Sequence, residues 1–240
     1  MRKIFLTAAA AIAIAAPGVA AAQTGYVGMD YTSVDVDGAG DDDAWGASGA
    51  VELGQHFAVD GGFSSNDDDT GFGATGHVYM NDSSHLLGVF AGVSDSDIAT
   101  VWQGGVEGQA YLGNVTFAGA LGYGREDDLD VSALGVNGEA RFFVNPNFRL
   151  EGGLGYFNVD TPIGDDDALQ FGVGGEYQLA AAPISLGLGY TRTSLDETDI
   201  EIDAISATAR WNFGGGTLAD RDRTGAALAG LSGIGAALGL

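Results

Sequence analysis

The stretch from Leu129 to Val159 reads LDVSALGVNGEARFFV, then NPN, then FRLEGGLGYFNV, and it decides the fold class. Apolar and polar residues alternate with a period of two on both sides of Asn145-Pro146-Asn147. This period is typical of β-strands, and a turn that holds Pro146 joins the two arms as an antiparallel hairpin. The apolar face carries Ser132, Leu134, Val136, Gly138, Ala140, Phe142, Phe148, Leu150, Leu154 and Tyr156. The other face is small, polar and charged, which predicts a hairpin that crosses a bilayer beside a polar lumen.

Residues 1–22 have the pattern of a secretory signal peptide. Arg2 and Lys3 form a basic start, residues 4–16 are apolar, and Ala20-Ala21-Ala22 offers a cleavage site of small residues. The alternative is an N-terminal membrane anchor, which is disfavoured because the apolar core is short for a span. We therefore expect residues 1–22 to be removed and the chain from Gln23 to fold outside the cytoplasm.

The composition excludes several classes of protein. The net charge is −24, with 33 acidic residues against nine Lys and Arg, so binding to nucleic acid is excluded because nothing neutralises phosphates. The chain has no Cys, so neither a disulfide framework nor a thiolate metal site is available. Hydrophobic residues make up 45% of the chain and alternate with period two, unlike a disordered acidic chain.

The acidic residues fall into clusters that alternate with short turns. The clusters lie at 35–43, 67–69, 95–97, 126–130, 160–167 and 196–203. We predict that they form acidic outer loops, with these representatives: Asp41, Asp42, Asp43, Asp67, Asp68, Asp69, Asp127, Asp128, Asp165, Asp166 and Asp167. A solenoid or propeller could give a repeat of similar length, but it needs a repeated side-chain signature that is absent here.

The alternation predicts about twelve strands, near 25–34, 44–53, 56–64, 71–80, 85–93, 99–111, 115–124, 131–144, 148–158, 168–179, 184–193 and 202–213. Most are long enough to cross a bilayer at a tilt, and an open edge in lipid would leave backbone groups unpaired. The prediction is an all-β protein, a closed antiparallel up-and-down transmembrane β-barrel over residues 23–213. Against a soluble β-sandwich stand aromatic residues near the strand ends: Trp45, Phe57, Phe72, Trp102, Tyr123, Tyr156, Tyr177, Tyr190 and Trp211.

The last strand, Ser206-Ala-Thr-Ala-Arg-Trp-Asn-Phe213, resembles the C-terminal signal of bacterial outer-membrane β-barrel proteins. The alternation over residues 23–213 is similar to that of their small porin-like members. The resemblance implies a place in the cell outer membrane, contact with its lipid and lipopolysaccharide, and insertion by the barrel-assembly machinery. In that family the Phe usually ends the chain, whereas here residues 214–240 follow. Either assembly tolerates an internal signal, which we favour, or Phe213 is only an interfacial aromatic.

The tail, residues 214–240, is rich in Gly and Ala and leaves two structures open. Within it, the five glycines of residues 224–240 disfavour a helix there, since each costs about 1 kcal/mol relative to Ala. We expect a loosely ordered periplasmic tail. The alternative is a helix that enters the lumen from the periplasmic side.

Two apparent ligand motifs are set aside. Gly71-Phe-Gly73-Ala-Thr-Gly76 matches a dinucleotide fingerprint, but it lies inside a strand pattern rather than between a strand and a helix. The segment Asp35–Asp41 resembles the start of a calcium loop, but Gly46 stands where the closing Glu is required. We therefore predict no cofactor and no metal site. Weak binding of divalent cations by the clustered carboxylates stays open.

An outer-membrane enzyme is the rival class, because such barrels include a phospholipase and proteases. Their mechanisms need a general base, usually His, at the outer half of the barrel. His56, His77 and His85 instead lie in or near the predicted periplasmic turns. We therefore predict that the protein is not an enzyme.

The predicted inward faces carry small residues together with charges in the periplasmic half. These charged lumenal residues are Glu52, Glu107, Glu139, Arg141, Arg149, Glu151, Glu176 and Arg210. With the turn at Pro146, Arg141 falls opposite Glu151, and we expect the two side chains to make contact or nearly so. Structural pairing and ion selectivity are equally good interpretations of these residues.

Small residues on the inward faces cannot close a ring this wide, so water should enter it. The leading functional hypothesis is an outer-membrane porin-like channel for passive diffusion of small hydrophilic solutes, with cations preferred through the acidic outer loops. The alternative is a non-conducting barrel that serves adhesion or envelope structure.

Overall fold

The computed structural model describes residues 22–38, 40–66, 69–96, 99–126, 130–162, 164–196 and 200–224. Within them lie twelve strands and one short helix. The strands are β1 (Ala22–Val36), β2 (Gly40–Leu53), β3 (Phe57–Ser65), β4 (Thr70–Asn81), β5 (His85–Asp95), β6 (Thr100–Leu112), β7 (Val115–Glu126), β8 (Val131–Asn145), β9 (Phe148–Thr161), β10 (Gly164–Gln178), β11 (Ile184–Leu195) and β12 (Ile200–Phe213). The helix is α1 (Leu218–Asp222). The predicted signal peptide lies outside the described residues, except for Ala22 at the start of β1, and stays a prediction.

Each strand pairs antiparallel with its neighbours in sequence, and β1 pairs with β12, so the sheet closes into a barrel. The closing ladder runs from Gly25 opposite Phe213 to Val36 opposite Ile202. Closure leaves the twelve described strands without an open edge, which a bilayer requires because lipid offers no hydrogen bonds. The prediction of an all-β, closed, antiparallel up-and-down barrel of about twelve strands is confirmed.

Tight turns define one end of the barrel, here termed the periplasmic end. Gly54 and Gly113 occupy such turns with φ of 80° and 64°, in the left-handed region that favours glycine. A Cβ at either position would meet nothing within 4 Å, so backbone conformation rather than space requires glycine. The β8–β9 turn holds Pro146, as predicted. The start of β1 and the end of β12 both lie at this end, because the number of strands is even.

The two faces of the strands differ in exposure, as the alternation predicts. Large apolar side chains point outward and are exposed, among them Leu188 at 70%, Leu154 at 65% and Met29 at 64%. The predicted interfacial aromatics are also exposed, with the exception of half-buried Tyr190. Inward residues of the same strands are mostly buried or half-buried. An exterior of this kind suits lipid rather than water.

The acidic residues differ in placement from the predicted loops. Asp41, Asp42 and Asp43 lie within β2, and Asp165, Asp166 and Asp167 lie within β10. The strands continue beyond the apolar band, and the connections at this outer end span only a few residues each. Strand pairing therefore continues through the acidic residues at the outer ends of β2 and β10. Asp69 lies in the β3–β4 connection, whereas Asp67, Asp68, Asp127 and Asp128 lie outside the described residues.

The interior holds more large side chains than the sequence analysis expected. Phe157 is unexposed and Phe90 is 4% exposed, and they pack with Ala120, Ala133 and Ala168. Gly105 leaves room for Phe90, since a Cβ there would lie 2.8 Å from its ring. A second cluster near the periplasmic end consists of Ala58, Tyr79, Leu86 and Tyr111. Large side chains thus fill part of the lumen, opposite small ones.

The two faces of β6 offer a test of this orientation. Val106, in the middle of β6, is 52% exposed on the outward face, whereas Gln103 lines the interior cavity. We expect Val106→Arg to destabilise the barrel in lipid by about 2–4 kcal/mol, because the charge would face the hydrocarbon. Gln103→Arg on the same strand is the control and should cost much less. Urea unfolding in lipid vesicles measures both, and equal losses would contradict the assigned faces.

Candidate functional site: the lumen and its periplasmic floor

The barrel encloses a cavity of about 670 Å³. One wall consists of small residues from β2, β3 and β4, including Gly46, Gly62 and Gly73. The cavity reaches from residues near the outer ends of the strands, such as Ser94, to Arg141 and α1 near the periplasmic end. Small side chains on a wide ring leave this space for water and solutes.

A network of ion pairs lines the periplasmic half of the β9–β12 wall. Arg149 Nε lies 2.9 Å from Glu151 Oε2, and its Nη2 lies 2.9 Å from Glu176 Oε2. Arg210 Nη1 donates to the same Glu176 oxygen at 3.2 Å, and Ser185 donates to the other at 2.5 Å. Glu176 is only 5% exposed. Because a buried carboxylate requires partners, these contacts tie the lumenal faces of the strands together.

Arg141 joins the barrel wall to the tail. It lies opposite Glu151 in the β8–β9 register, as the sequence predicts. Its guanidinium pairs with Glu139 and, at 2.7 Å, with Asp222 Oδ1, while Glu151 pairs with Arg149. The alternation of the strands gives no signal for Asp222, because that residue comes from the tail.

Acidic residues line the opposite wall. Glu52 accepts a hydrogen bond from the Thr24 hydroxyl at 2.9 Å. The buried His77 ring lies between two carboxylates, with Nε2 2.5 Å from Asp60 and Nδ1 2.8 Å from Glu107. A ring that carries both N–H groups satisfies both carboxylates, so this cluster is a cation between two anions. Asp60 was not predicted as a lumenal residue, although the alternation of β3 places it inward.

The predicted charged lumenal residues all lie on inward faces, namely Glu52, Glu107, Glu139, Arg141, Arg149, Glu151, Glu176 and Arg210. Two further lumenal residues escaped the sequence analysis. The Tyr26 ring lies 4.6 Å from the Arg210 guanidinium carbon, a cation–π contact. Asp30 accepts a hydrogen bond from the Ser48 hydroxyl at 2.9 Å. Period-two alternation along β1 would have found both.

The tail differs from the expected loose segment over its described part. Residues 214–224, here termed the strap, fold into the periplasmic end of the lumen. The strap contains α1, which is capped by Thr217 and Asp220. Leu218, Arg221 and Asp222 are 6%, 6% and 0% exposed, so one face of the helix is buried against the barrel interior, whereas Asp220 is exposed. The predicted alternative, a helix of residues 224–240 that enters the lumen, falls almost wholly on residues 225–240, which lie outside the described residues, and it stays a prediction.

No helix among the described residues is long and apolar enough to span a membrane.

In the part of the outer end that the structure describes, many carboxylates stand against two arginines, Arg125 and Arg192. Arg125 pairs with Asp130 at 3.2 Å. Arg192 donates to Asp203 through Nε and Nη2, both at 2.7 Å, and the Tyr190 hydroxyl donates to the same carboxylate at 2.6 Å. These few pairs leave the outer rim strongly negative.

The periplasmic turns hold the remaining histidines. At the β4–β5 turn, the backbone N–H and hydroxyl of Ser84, with the backbone N–H of His85, lower the pKa of Asp82. The Ser84 hydroxyl donates to Asp82 Oδ1 at 2.8 Å, and its oxygen lies 2.9 Å from His85 Nδ1. His56 lies 3.2 Å from a backbone carbonyl oxygen. Among the residues that the structure describes, no group of His, Asp and Glu is suited to hold a metal ion.

Comparison with known proteins gives the following matches. A model of the outer membrane protein beta-barrel domain matches residues 5–213. The KdgM porin aligns with a TM-score of 0.58 and 9% identity, covering 78% of this chain and 99% of that chain. The NanC porin aligns with a TM-score of 0.59 and 11% identity, covering 76% and 98%. The beta domain of the Bordetella autotransporter BrkA aligns with a TM-score of 0.53 and 14% identity, covering 80% of this chain and 100% of that chain. No curated protein sequence matches this chain.

The His77 cluster gives a test of charge pairing in the lumen. His77→Leu removes the partner of Glu107, which is 5% exposed, and we expect a loss of about 3 kcal/mol. His85→Leu is the matched control, because its side chain is 52% exposed and such pairs contribute about 0–1 kcal/mol. Urea unfolding of the folded barrels compares the two. A His77 variant as stable as the His85 variant would contradict the proposed pairing.

Proposed function

Because the chain belongs to the outer membrane protein beta-barrel domain family, we propose that it forms a porin-like channel for passive diffusion of small hydrophilic solutes across the bacterial outer membrane. The supporting observation is the cavity of about 670 Å³ inside the closed barrel. A lumen with small residues on the β2–β4 wall and paired charges near its periplasmic floor would be hydrated and would not bind one solute tightly. This geometry suits diffusion and assigns no enzymatic reaction to the site.

Cation preference is the second part of the proposal. The negative rim at the outer end raises the local concentration of cations and lowers that of anions. Below it, Arg149 and Arg210 share Glu176, so lumenal positive charge is largely compensated. One of the similar structures is the KdgM porin in complex with a disordered oligogalacturonate, an acidic sugar chain. In this chain the acidic rim and the compensated arginines favour cations and neutral solutes instead.

Partners for assembly and for lipid contact are proposed from the residues at the two ends of the barrel. The outward Trp211 and the final Phe213 of β12 are proposed to be read by the barrel-assembly machinery, with the strap folding after insertion. At the outer end the carboxylates would adjoin lipopolysaccharide, whose head groups are also anionic. Divalent cations shared between the two would relieve that repulsion.

A second candidate function is a non-conducting barrel with a role in adhesion or envelope structure. The observation that favours it is the strap, which fills the periplasmic end of the lumen with buried residues. Conductance separates the two functions, since a structural barrel has none.

The acid run of β2 gives the test of selectivity. We expect the triple variant Asp41→Asn, Asp42→Asn, Asp43→Asn to lower the cation preference of the channel. Reversal potentials across a KCl gradient in planar bilayers measure it. The effect should shrink at high salt, because the Debye length falls from about 10 Å at 0.1 M to about 3 Å at 1 M.

Asp82→Asn is the control for this triple variant, since it removes a carboxylate at the periplasmic end. It should change the reversal potential little. Anion preference of the native protein would contradict the proposed role of the rim.

A further inference from the structure

The strap crosses the lumen from one wall to the opposite one. In the first turn of α1, the Ala219 backbone N–H donates to Pro146 O in the β8–β9 turn at 3.0 Å. At its other end, Thr224 Oγ1 lies 3.1 Å from Thr24 Oγ1 in β1, and the Tyr79 hydroxyl of β4 donates to Thr224 O at 3.1 Å. The β8–β9 turn and β4 lie on opposite sides of the ring. The strap therefore spans the periplasmic mouth.

A buried ion pair holds the middle of the strap. Asp222 accepts hydrogen bonds from Thr116 Oγ1 at 2.5 Å and from Arg141 Nη1 at 2.7 Å. Asp222 is unexposed and Arg141 is 5% exposed. Each charge needs the other while both are buried, so the pair favours the docked strap over any position that separates them.

The remaining contacts of the strap are of a kind that water can replace. Arg221 donates to Gln178 and to Gly216 O, and Arg223 donates to Gly113 O. Leu218 is the apolar side chain that the strap buries. An element with little apolar burial and many polar contacts belongs to the low-stability part of a fold. The strap can therefore leave while the barrel stays intact.

The connection between β12 and α1 permits such movement. Gly214, Gly215 and Gly216 follow one another with φ of 85°, 78° and 82°. This left-handed conformation is open to glycine at no steric cost, and glycine also reaches many others. Three successive glycines make a flexible joint at the point where the strap leaves the end of β12.

We propose that the strap is a gate: docked, it closes the periplasmic mouth, and undocked, it opens a path through the lumen. Asp222 and Arg141 form the latch, and residues 214–216 form the hinge. This inference rests on the proposed channel function. It also reconciles a wide lumen with a filled floor, because the structure is then the closed state of a channel.

A disulfide tests the gate within one sample. The chain has no Cys, and the Thr24 and Thr224 hydroxyls are 3.1 Å apart, so Thr24→Cys with Thr224→Cys places two thiols within bonding reach. The oxidised full-length protein should show almost no conductance in planar bilayers, and reduction should restore native opening. Equal conductance in both states would overturn the gate.

Asp222→Asn provides the opposite change by weakening the latch. The open probability should rise about tenfold, since a modest loss of docking free energy shifts a two-state equilibrium by this factor. Asp82→Asn is the control, because it removes the same charge from an exposed periplasmic turn in which the carboxylate contacts Ser84 and His85, and it should leave the open probability unchanged. An unchanged Asp222 variant would count against the latch. If neither the native protein nor any variant, oxidised or reduced, conducted ions, the proposed channel function itself would be contradicted.

Discussion

Backbone hydrogen bonding in lipid is the constraint on which this structure depends. A bilayer offers no partners for N–H and C=O groups, so the strands must pair on both edges, and β1 must meet β12. Closure fixes the rest of the design. One face of every strand meets lipid, and the other meets the lumen. Because the number of strands is even, the start of β1 and the end of β12 both lie at the periplasmic mouth. The tail starts there, next to the opening that it fills.

At the floor of the lumen, burial sets the rule for charge, because a buried charged group needs a partner. Glu176 has two arginines, Arg141 has Glu139 and Asp222, and His77 lies between two carboxylates. Such pairing stabilises the inner walls and holds their net charge low in the periplasmic half. At the outer rim, carboxylates outnumber arginines, so the net charge stays negative. The molecule is therefore polar along its axis, with a negative entrance and a balanced floor.

Sequence alternation predicts the barrel well, because each face of a strand has one environment. The hairpin around Pro146 and the register of Arg141 with Glu151 follow from period two and a short turn. The acidic runs were assigned to loops because charge usually marks a loop, yet backbone pairing continues past the apolar band in β2 and β10.

The floor of the lumen was beyond the sequence analysis for two reasons. The strap has no periodic pattern, so only contacts such as that between Asp222 and Arg141 show where it docks. The filling of the lumen by Phe157 and Phe90 depends on which strands lie opposite each other across the ring. Alternation fixes the direction of a side chain but not its partner across the barrel.

Accessibility of single cysteines along the closing strands tests the account most directly. The chain has no Cys, so spin labels can be placed one at a time on β1 and β12. The account predicts period-two alternation, with Met29 and Ala209 reached by oxygen dissolved in lipid, and Asp30 and Thr208 reached by a water-soluble reagent. If the water-soluble reagent reached both faces of β1 and β12, or neither face, the closed barrel would be contradicted.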